Sequence, residues 1–255
     1  FACLAFHVSL HKQINTVIKT RLIMKTILTI AGSDSCGGAG IQQDLRTITS
    51  LHQYAATVIT AITSQNTLGV QAVLPVPQET LSSQLHAVLS DLTIDAVKIG
   101  MVPNIACAET LVEAIEHLSC PIIYDPVMIS TSGTRLMDPD CIDYVCANLF
   151  PICSLITPNI PEHSIVAPHL HTAYLLKGGH ADGALMTDYL HLSDGTTHSF
   201  TSPRIESSHL HGTGCCLSSA IATFLALGHS LPEAVAKGKE VVTKAIERAK
   251  NISIG

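Results

Sequence analysis

A chain of 255 residues with 47% hydrophobic and 13% charged side chains is long enough for one large α/β domain or two small ones, and too apolar to be disordered. Its net charge of −6, without a Lys/Arg cluster, excludes a basic nucleic-acid-binding face, so an anionic ligand needs a helix N-terminus, a metal or a single Lys. Nine cysteines without a CxxC pair and fourteen histidines without an HExxH spacing argue against a zinc site or a disulfide framework, and for a reducing cytoplasm. No uninterrupted apolar run reaches the length of a membrane span.

Residues 1–23 carry Lys12, Lys19 and Arg21 and no acidic residue. Met24 is followed at once by the first strand pattern, so 1–23 read as an N-terminal extension, disordered or non-native, ahead of a domain over 24–255. Short, largely β-branched apolar runs then recur at 26–31, 57–62, 94–99, 121–124, 154–157 and 173–176. Such runs predict strands buried on both faces. Helical stripes lie between them: Ile41, Leu45 and Ile48; Leu81, Leu85, Val88 and Leu92; Leu111, Ile115 and Leu118. An apolar helix over 216–227 and a last helix from Pro232 to about Lys250 complete the set. Residues 71–75 and 189–192 read as extra edge strands or flaps. The alternation predicts an α/β fold with a mainly parallel sheet covered by helices.

Ligands of open parallel sheets bind beyond the carboxyl ends of the strands. Here those ends carry Gly32-Ser33-Asp34, Gln65-Asn66, Lys98 to Met101, Asp125, Pro158-Asn159 and Lys177-Gly178-Gly179. Turn chemistry accounts for the glycines, but not for Asp125, Asn159 and Lys177. The glycine-rich stretch 32–40 is neither GxGxxG nor a Walker A loop, and a flexible turn explains it equally well. His211-Gly-Thr-Gly-Cys215 opens the apolar helix, and its amides and the helix dipole suit an anion. A Cys at such a terminus is expected to have a lowered pKa and to accept a proton. Asn159-Ile-Pro-Glu162 offers oxygens to waters around Mg²⁺, but is also a capping-box variant, and alone the cap is the better reading.

Together these stretches resemble the hydroxymethylpyrimidine and phosphomethylpyrimidine kinases of the ribokinase superfamily. The resemblance is carried by LTIAGSDSCGGAGIQQDL (28–45), TAITSQNTLGVQ (60–71), DAVKIGM (95–101), DPVM (125–128), LITPNIPE (155–162), LKGGH (176–180) and HGTGC (211–215), in the family's order. It implies a ribokinase-like three-layer α/β/α sandwich. It also implies ATP- and Mg²⁺-dependent phosphorylation of 4-amino-5-hydroxymethyl-2-methylpyrimidine, then of its monophosphate, in thiamine biosynthesis. By the same resemblance Gly32, Asp44, Gln65, Met101 and Val127 form the pyrimidine pocket. Asn159, Lys177 and Thr213 lie on the ATP side, and Asp125 and Glu162 hold Mg²⁺ through water. Cys215 is the base, with the amides of Gly212 and Gly214 beside it. Relatives are commonly homodimers, so a cytoplasmic homodimer acting on a small molecule is implied, with no membrane or nucleic-acid partner.

Two departures from the family stand out. Only 163–172 separates Glu162 from the next strand, so one helix is expected to be absent and apolar sheet surface uncovered. The chain also stops at Gly255, where relatives continue with a glycine-rich, His-containing tail. Two other readings stay open: a pyridoxal or pyridoxine kinase of the same branch, and a non-catalytic pyrimidine-binding remnant.

Overall fold

The computed structural model describes residues 24–130, 132–178, 185–205 and 211–249. The expected extension 1–23, Gly179, His180, Lys250 and the chain end lie outside them. Thr26–Asp34 forms β1, whose apolar residues are buried on both sides and which pairs in parallel with two neighbours. These are β2 (Tyr54–Asn66) and β4 (Ala96–Ile99). The parallel ladder continues through β5 (Ile122–Tyr124), β6 (Leu155–Ile156) and β7 (Tyr174–Leu176). All six apolar runs therefore become strands. Antiparallel strands finish both edges: β3 (Gly69–Pro75) on β2, and β8 (Leu185–His191) with β9 (Thr197–Pro203) beyond β7. The nine-stranded order is β3-β2-β1-β4-β5-β6-β7-β8-β9. β9 is an addition to the sequence reading, because THSFTSP has little apolar signal and its side chains are alternately exposed and half-buried.

Helices cover both faces. α1 (Gly40–Ser50), α6 (Thr213–Ala226) and α7 (Leu231–Arg248) pack on one, around Ile27, Ile123, Leu155 and Leu175. α2 (Gln78–Leu89), α3 (Ile105–Ile115) and α4 (Pro139–Tyr144) pack on the other, around Leu28, Ile30, Val97 and Tyr124. Local chemistry sets the helix starts. Asn104 accepts from the Cys107 N–H at α3, and Ser230 with Glu233 makes a capping box at α7, with Pro232 in the first turn.

The inner face of α1 corrects one expectation. Its buried stripe is Ile41, Asp44 and Ile48 with Gln43 and Thr47, while Leu45 is only partly buried. A polar residue takes the central place because a charge from the sheet meets it there.

The link between β6 and β7 holds α5 (Ile160–Val166), two helical turns, and a 3₁₀ turn at Ala167–His169. Val166 is fully buried, and the His163 ring lies 5.5 Å from that of Tyr174, which stacks at 4.5 Å on His191. Tyr189 pairs with Leu176 on the same face and stays exposed, as does Leu185.

Candidate active site

The carboxyl ends of the parallel strands enclose a cavity of about 270 Å³, the scale of a small ring compound rather than a peptide. Twelve of the thirteen residues singled out from the sequence line it. From the substrate group these are Gly32, Gln65, Met101 and Val127. From the nucleotide and metal groups they are Asn159, Lys177, Thr213, Asp125 and Glu162, with Gly212, Gly214 and Cys215 at the start of α6.

Asp44 is the exception, and its expected place in the pocket is corrected. It is fully buried under the cavity floor. Both carboxylate oxygens accept from Lys98 Nζ, at 2.9 and 2.8 Å. Oδ1 also accepts from Ser219 Oγ at 2.7 Å and Oδ2 from Thr29 Oγ1 at 2.5 Å. With two donors on each oxygen, Asp44 has nothing left for a ligand.

A helix start frames one side of the cavity. Gly212 caps α6 at φ 86°, a left-handed conformation that suits glycine, and a Cβ there would collide with the Gly38 carbonyl. The loop of 32–40 thus packs against the loop of 211–215. Nearby, a Cβ on Gly32 would come within 2.9 Å of Met101 Sδ, so glycine is what lets that thioether approach the strand end.

Opposite lies a second lysine–aspartate pair. Lys177 Nζ donates to Asp125 Oδ1 at 2.6 Å, and Thr157 Oγ1 donates to the same oxygen at 3.0 Å. Burial pushes the Asp125 carboxyl up, but Lys177 and Lys98 outweigh it and hold it below the usual carboxylate range. Asp125 Oδ2 points to the start of α6, where it would lie 3.4 Å from a Cβ on Gly214. Asn159 and Glu162 form the capping box of α5: Asn159 Oδ1 accepts from the Glu162 N–H, and Glu162 Oε2 from the Asn159 N–H, both at 2.8 Å. The carboxyl of Glu162 is pushed up to about 7, first by burial and then by the negative charge of Asp125, against the pull of Lys177. Cap and cavity wall are one structure, so the two sequence readings of this motif do not compete.

Cys215 overturns an expectation. Its thiol is pushed up to about 11, not down. Burial is the largest cause, and Asp44 and Asp125 add to it. Lys98 and the Gly40 N–H act the other way and lose. Loss of solvation around the sulfur outweighs the helix start, although the residue as a whole is half-buried at the cavity wall.

Sequence reasoning missed three polar groups at the other end of the cavity. Asp34 accepts from the N–H groups of Cys36 and Ala39, each at 2.8 Å, and its Oδ2 lies 3.0 Å from His211 Nε2. Burial raises the Asp34 carboxyl, but the His211 bond and these two N–H groups hold it below its usual range. The Gln65 side-chain amide lies between His211 Nε2, at 3.2 Å, and Thr63 Oγ1, at 3.3 Å. The one available signal was that Asp34, Thr63 and His211 fall inside motifs already noted.

A three-layer sandwich whose cavity opens at the carboxyl edge of the sheet, beside a glycine-framed helix start, is the architecture of ribokinase-like small-molecule kinases. Comparison with known proteins narrows the class. The phosphomethylpyrimidine kinase family model matches residues 34–255, and the chain belongs to that family. It is 42% identical to the hydroxymethylpyrimidine/phosphomethylpyrimidine kinase of Rhizobium meliloti, over 89% of this chain and 92% of that one. It is also 42% identical to the thiamine biosynthesis bifunctional protein of Geobacter sulfurreducens, over 90% of this chain, and spans about half (51%) of that protein's length. Among solved structures, a phosphomethylpyrimidine kinase from Clostridium difficile is 37% identical, with a TM-score of 0.74 over 87% of this chain and 99% of that one. The pyridoxal kinase of Staphylococcus aureus, in complex with AMP-PCP and pyridoxal, is 28% identical, with a TM-score of 0.80 over 91% of this chain and 92% of that one. Among the described residues no helix is long and apolar enough to cross a membrane, and no group of three or more His, Cys, Asp or Glu is placed to hold a metal.

Proposed function

We propose that this chain transfers the γ-phosphoryl group of ATP to 4-amino-5-hydroxymethyl-2-methylpyrimidine and then to the resulting monophosphate, in thiamine biosynthesis. The observation that carries the reading is the facing of the α6 start, with its thiol, and the Lys177–Asp125 pair across one cavity of small-ring size. Gly32, Gln65, Met101 and Val127 are the walls for the ring. Asn159, Lys177 and Thr213 are on the nucleotide side.

The substrate hydroxyl oxygen attacks the γ-phosphorus, the bond to the β-phosphate bridging oxygen breaks, and ADP leaves. The first-turn amides at Gly212, Gly214 and Cys215 stabilise charge on the transferring group, as helix starts do for anions. Lys177 neutralises a further oxygen. Cys215 serves as base only as its thiolate, a minor form in the free protein because burial pushes the thiol up to about 11; that thiolate takes up the hydroxyl proton, giving the neutral thiol, as the new bond forms rather than beforehand. A loose phosphoryl-transfer transition state demands little of its base, which makes such late proton uptake adequate.

Mg²⁺ fits the carboxylates present: two of them, Asp125 and Glu162, lie at the cavity, enough for an ion that keeps most of its waters. Bound there through water, it supplies charge neutralisation for the phosphates. The same reading makes residues 24–255 one kinase domain with a shortened β6–β7 link, working in the cytoplasm. A homodimer is supported by the exposed Ile62, Leu68 and Leu74 of the β2–β3 hairpin, where Ile62 and Leu74 are cross-strand partners.

The test is a coupled ADP-release assay with ATP, Mg²⁺ and either the pyrimidine or pyridoxal, beside Cys215→Ala. Turnover on the pyrimidine, reduced by about 10²–10⁴ in the variant, is the expected result for loss of a general base. Preference for pyridoxal would move the chain to the other branch. Absence of turnover on both, in folded protein, would make it a binding remnant.

A further inference from the structure

The amide of Gln65 has two ends of the same shape, and only its hydrogen bonds decide which is nitrogen. The structure sets Oε1 3.3 Å from Thr63 Oγ1 and Nε2 3.2 Å from His211 Nε2, and two neighbours argue for exchanging them. Thr63 Oγ1 has one proton, and it goes to the Ser33 carbonyl at 2.9 Å, an oxygen that can only accept. Thr63 therefore faces Gln65 with lone pairs alone and needs an N–H from the amide end 3.3 Å away. At the other end, His211 Nε2 lies 3.0 Å from a carboxylate oxygen of Asp34, which also accepts from the Ala39 N–H. Nε2 must carry a proton there, in either charge state of the ring. A protonated Nε2 cannot accept from an amide N–H, so the amide end 3.2 Å from it is the carbonyl. The single Nε2 proton is then shared between the Asp34 carboxylate and the amide oxygen, two acceptors, whereas the opposite assignment sets two donors face to face at His211.

We infer that Thr63 and His211 are positioning residues that hold the Gln65 amide in one orientation, nitrogen toward Thr63 and oxygen toward His211, and so fix the hydrogen-bonding pattern a ring must present to this site. One N–H and one lone pair of the amide then remain for the ligand, on fixed sides. That pair matches an acceptor ring nitrogen next to an exocyclic amine, and mismatches a ring with the pattern reversed or absent. The inference rests on the proposed reading that Gln65 meets the substrate ring.

The experiment is steady-state kinetics of Gln65→Leu, Thr63→Val, the double variant, His211→Leu and His211→Gln, varying pyrimidine, pyridoxal and ATP separately. Loss of a part-buried hydrogen bond of this kind is worth about 1 kcal/mol, so Thr63→Val should raise the KM for the pyrimidine by roughly 5-fold. The KM for ATP should stay within about twofold, and selectivity over pyridoxal should fall. Thr63→Val should add almost nothing in the Gln65→Leu background, since contacting residues that act through one group are not additive. His211→Gln, which keeps a donor, should recover most of what His211→Leu loses. If Gln65→Leu leaves the pyrimidine KM unchanged, the substrate reading of Gln65 fails and takes this inference with it. If Gln65→Leu is costly but Thr63→Val is silent, or its effect adds fully in the double variant, the reading stands and the inference is overturned. A His211→Leu defect confined to the KM for ATP would likewise overturn it.

Discussion

Lys98 and Lys177 both leave the carboxyl end of a parallel strand, both meet an aspartate, and both line the same cavity, yet the two pairs differ in what they leave over. Asp44 takes two bonds from Lys98 and one each from Ser219 and Thr29, filling both oxygens. Asp125 spends Oδ1 on Lys177 and Thr157, and among the described residues no side chain bonds Oδ2. A buried charge whose hydrogen bonds are complete joins α1 and α6 to the sheet. A buried charge with valence to spare, at a cavity, is available to a ligand. Lys and Asp in a motif do not say which case holds; the count of donors around the carboxylate does.

The largest effect should come from breaking the complete pair. Asp44→Ala leaves Lys98 charged and unpaired in the interior, and should destabilise the protein by about 3–5 kcal/mol. Urea unfolding would show this, and a loss under about 1 kcal/mol would end the contrast drawn above. Replacing both partners together, as Asp44→Leu with Lys98→Met, should restore much of the loss, since no charge is then stranded.

Asp125→Asn tests the other pair. It should cost less stability than Asp44→Ala, because Asn still accepts from Lys177 and Lys177 keeps some contact with solvent, and should cut turnover by about 10²–10³, the scale for losing one preorganised electrostatic contact. Comparable losses in both stability and turnover would make the two pairs alike.

A third effect, about tenfold per pH unit, concerns Mg²⁺. Glu162, pushed up to about 7 by burial, must lose its proton to hold the ion's waters. Mg²⁺ affinity should therefore rise with pH up to about 7 and level off above, as calorimetry at several pH values would reveal. The linkage to folding has the opposite sign: the folded state binds this proton more tightly than the unfolded chain. The metal-free protein should accordingly lose stability as pH rises from about 4.5 to about 7. A flat Mg²⁺ titration would remove Glu162 from the metal site.

The smallest effect belongs to Tyr124, which is fully buried and whose hydroxyl has no partner among the described residues. Tyr124→Phe removes an unpaid polar group, so stability should stay level or rise by up to about 1 kcal/mol. A clear loss in the urea midpoint would mean that a buried water serves the hydroxyl.

The β-branched apolar runs were legible as strands because burial on both faces leaves no other composition available, and all six formed. The site was legible as a set of strand-end residues because a parallel sheet gathers its carboxyl ends at one edge. β9 was not legible, since an edge hairpin half in water needs no apolar pattern. Asp44 was misread for a different reason. Its helical position on α1 is a matter of sequence, but its partners come from β1, β4 and α6, as far as 175 positions away. The thiol of Cys215 is the same kind of case: the glycine-framed helix start is written in residues 211–215, whereas the desolvation that drives its proton affinity up arises only when distant segments close over it. Periodicity and strand-end chemistry are local and additive, so the sequence by itself determined layers, strand runs and the edge where the cavity lies. Completeness of hydrogen bonding and exclusion of water are properties of groups brought together from far apart, so only the tertiary structure decided which charged residues serve architecture and which remain for chemistry.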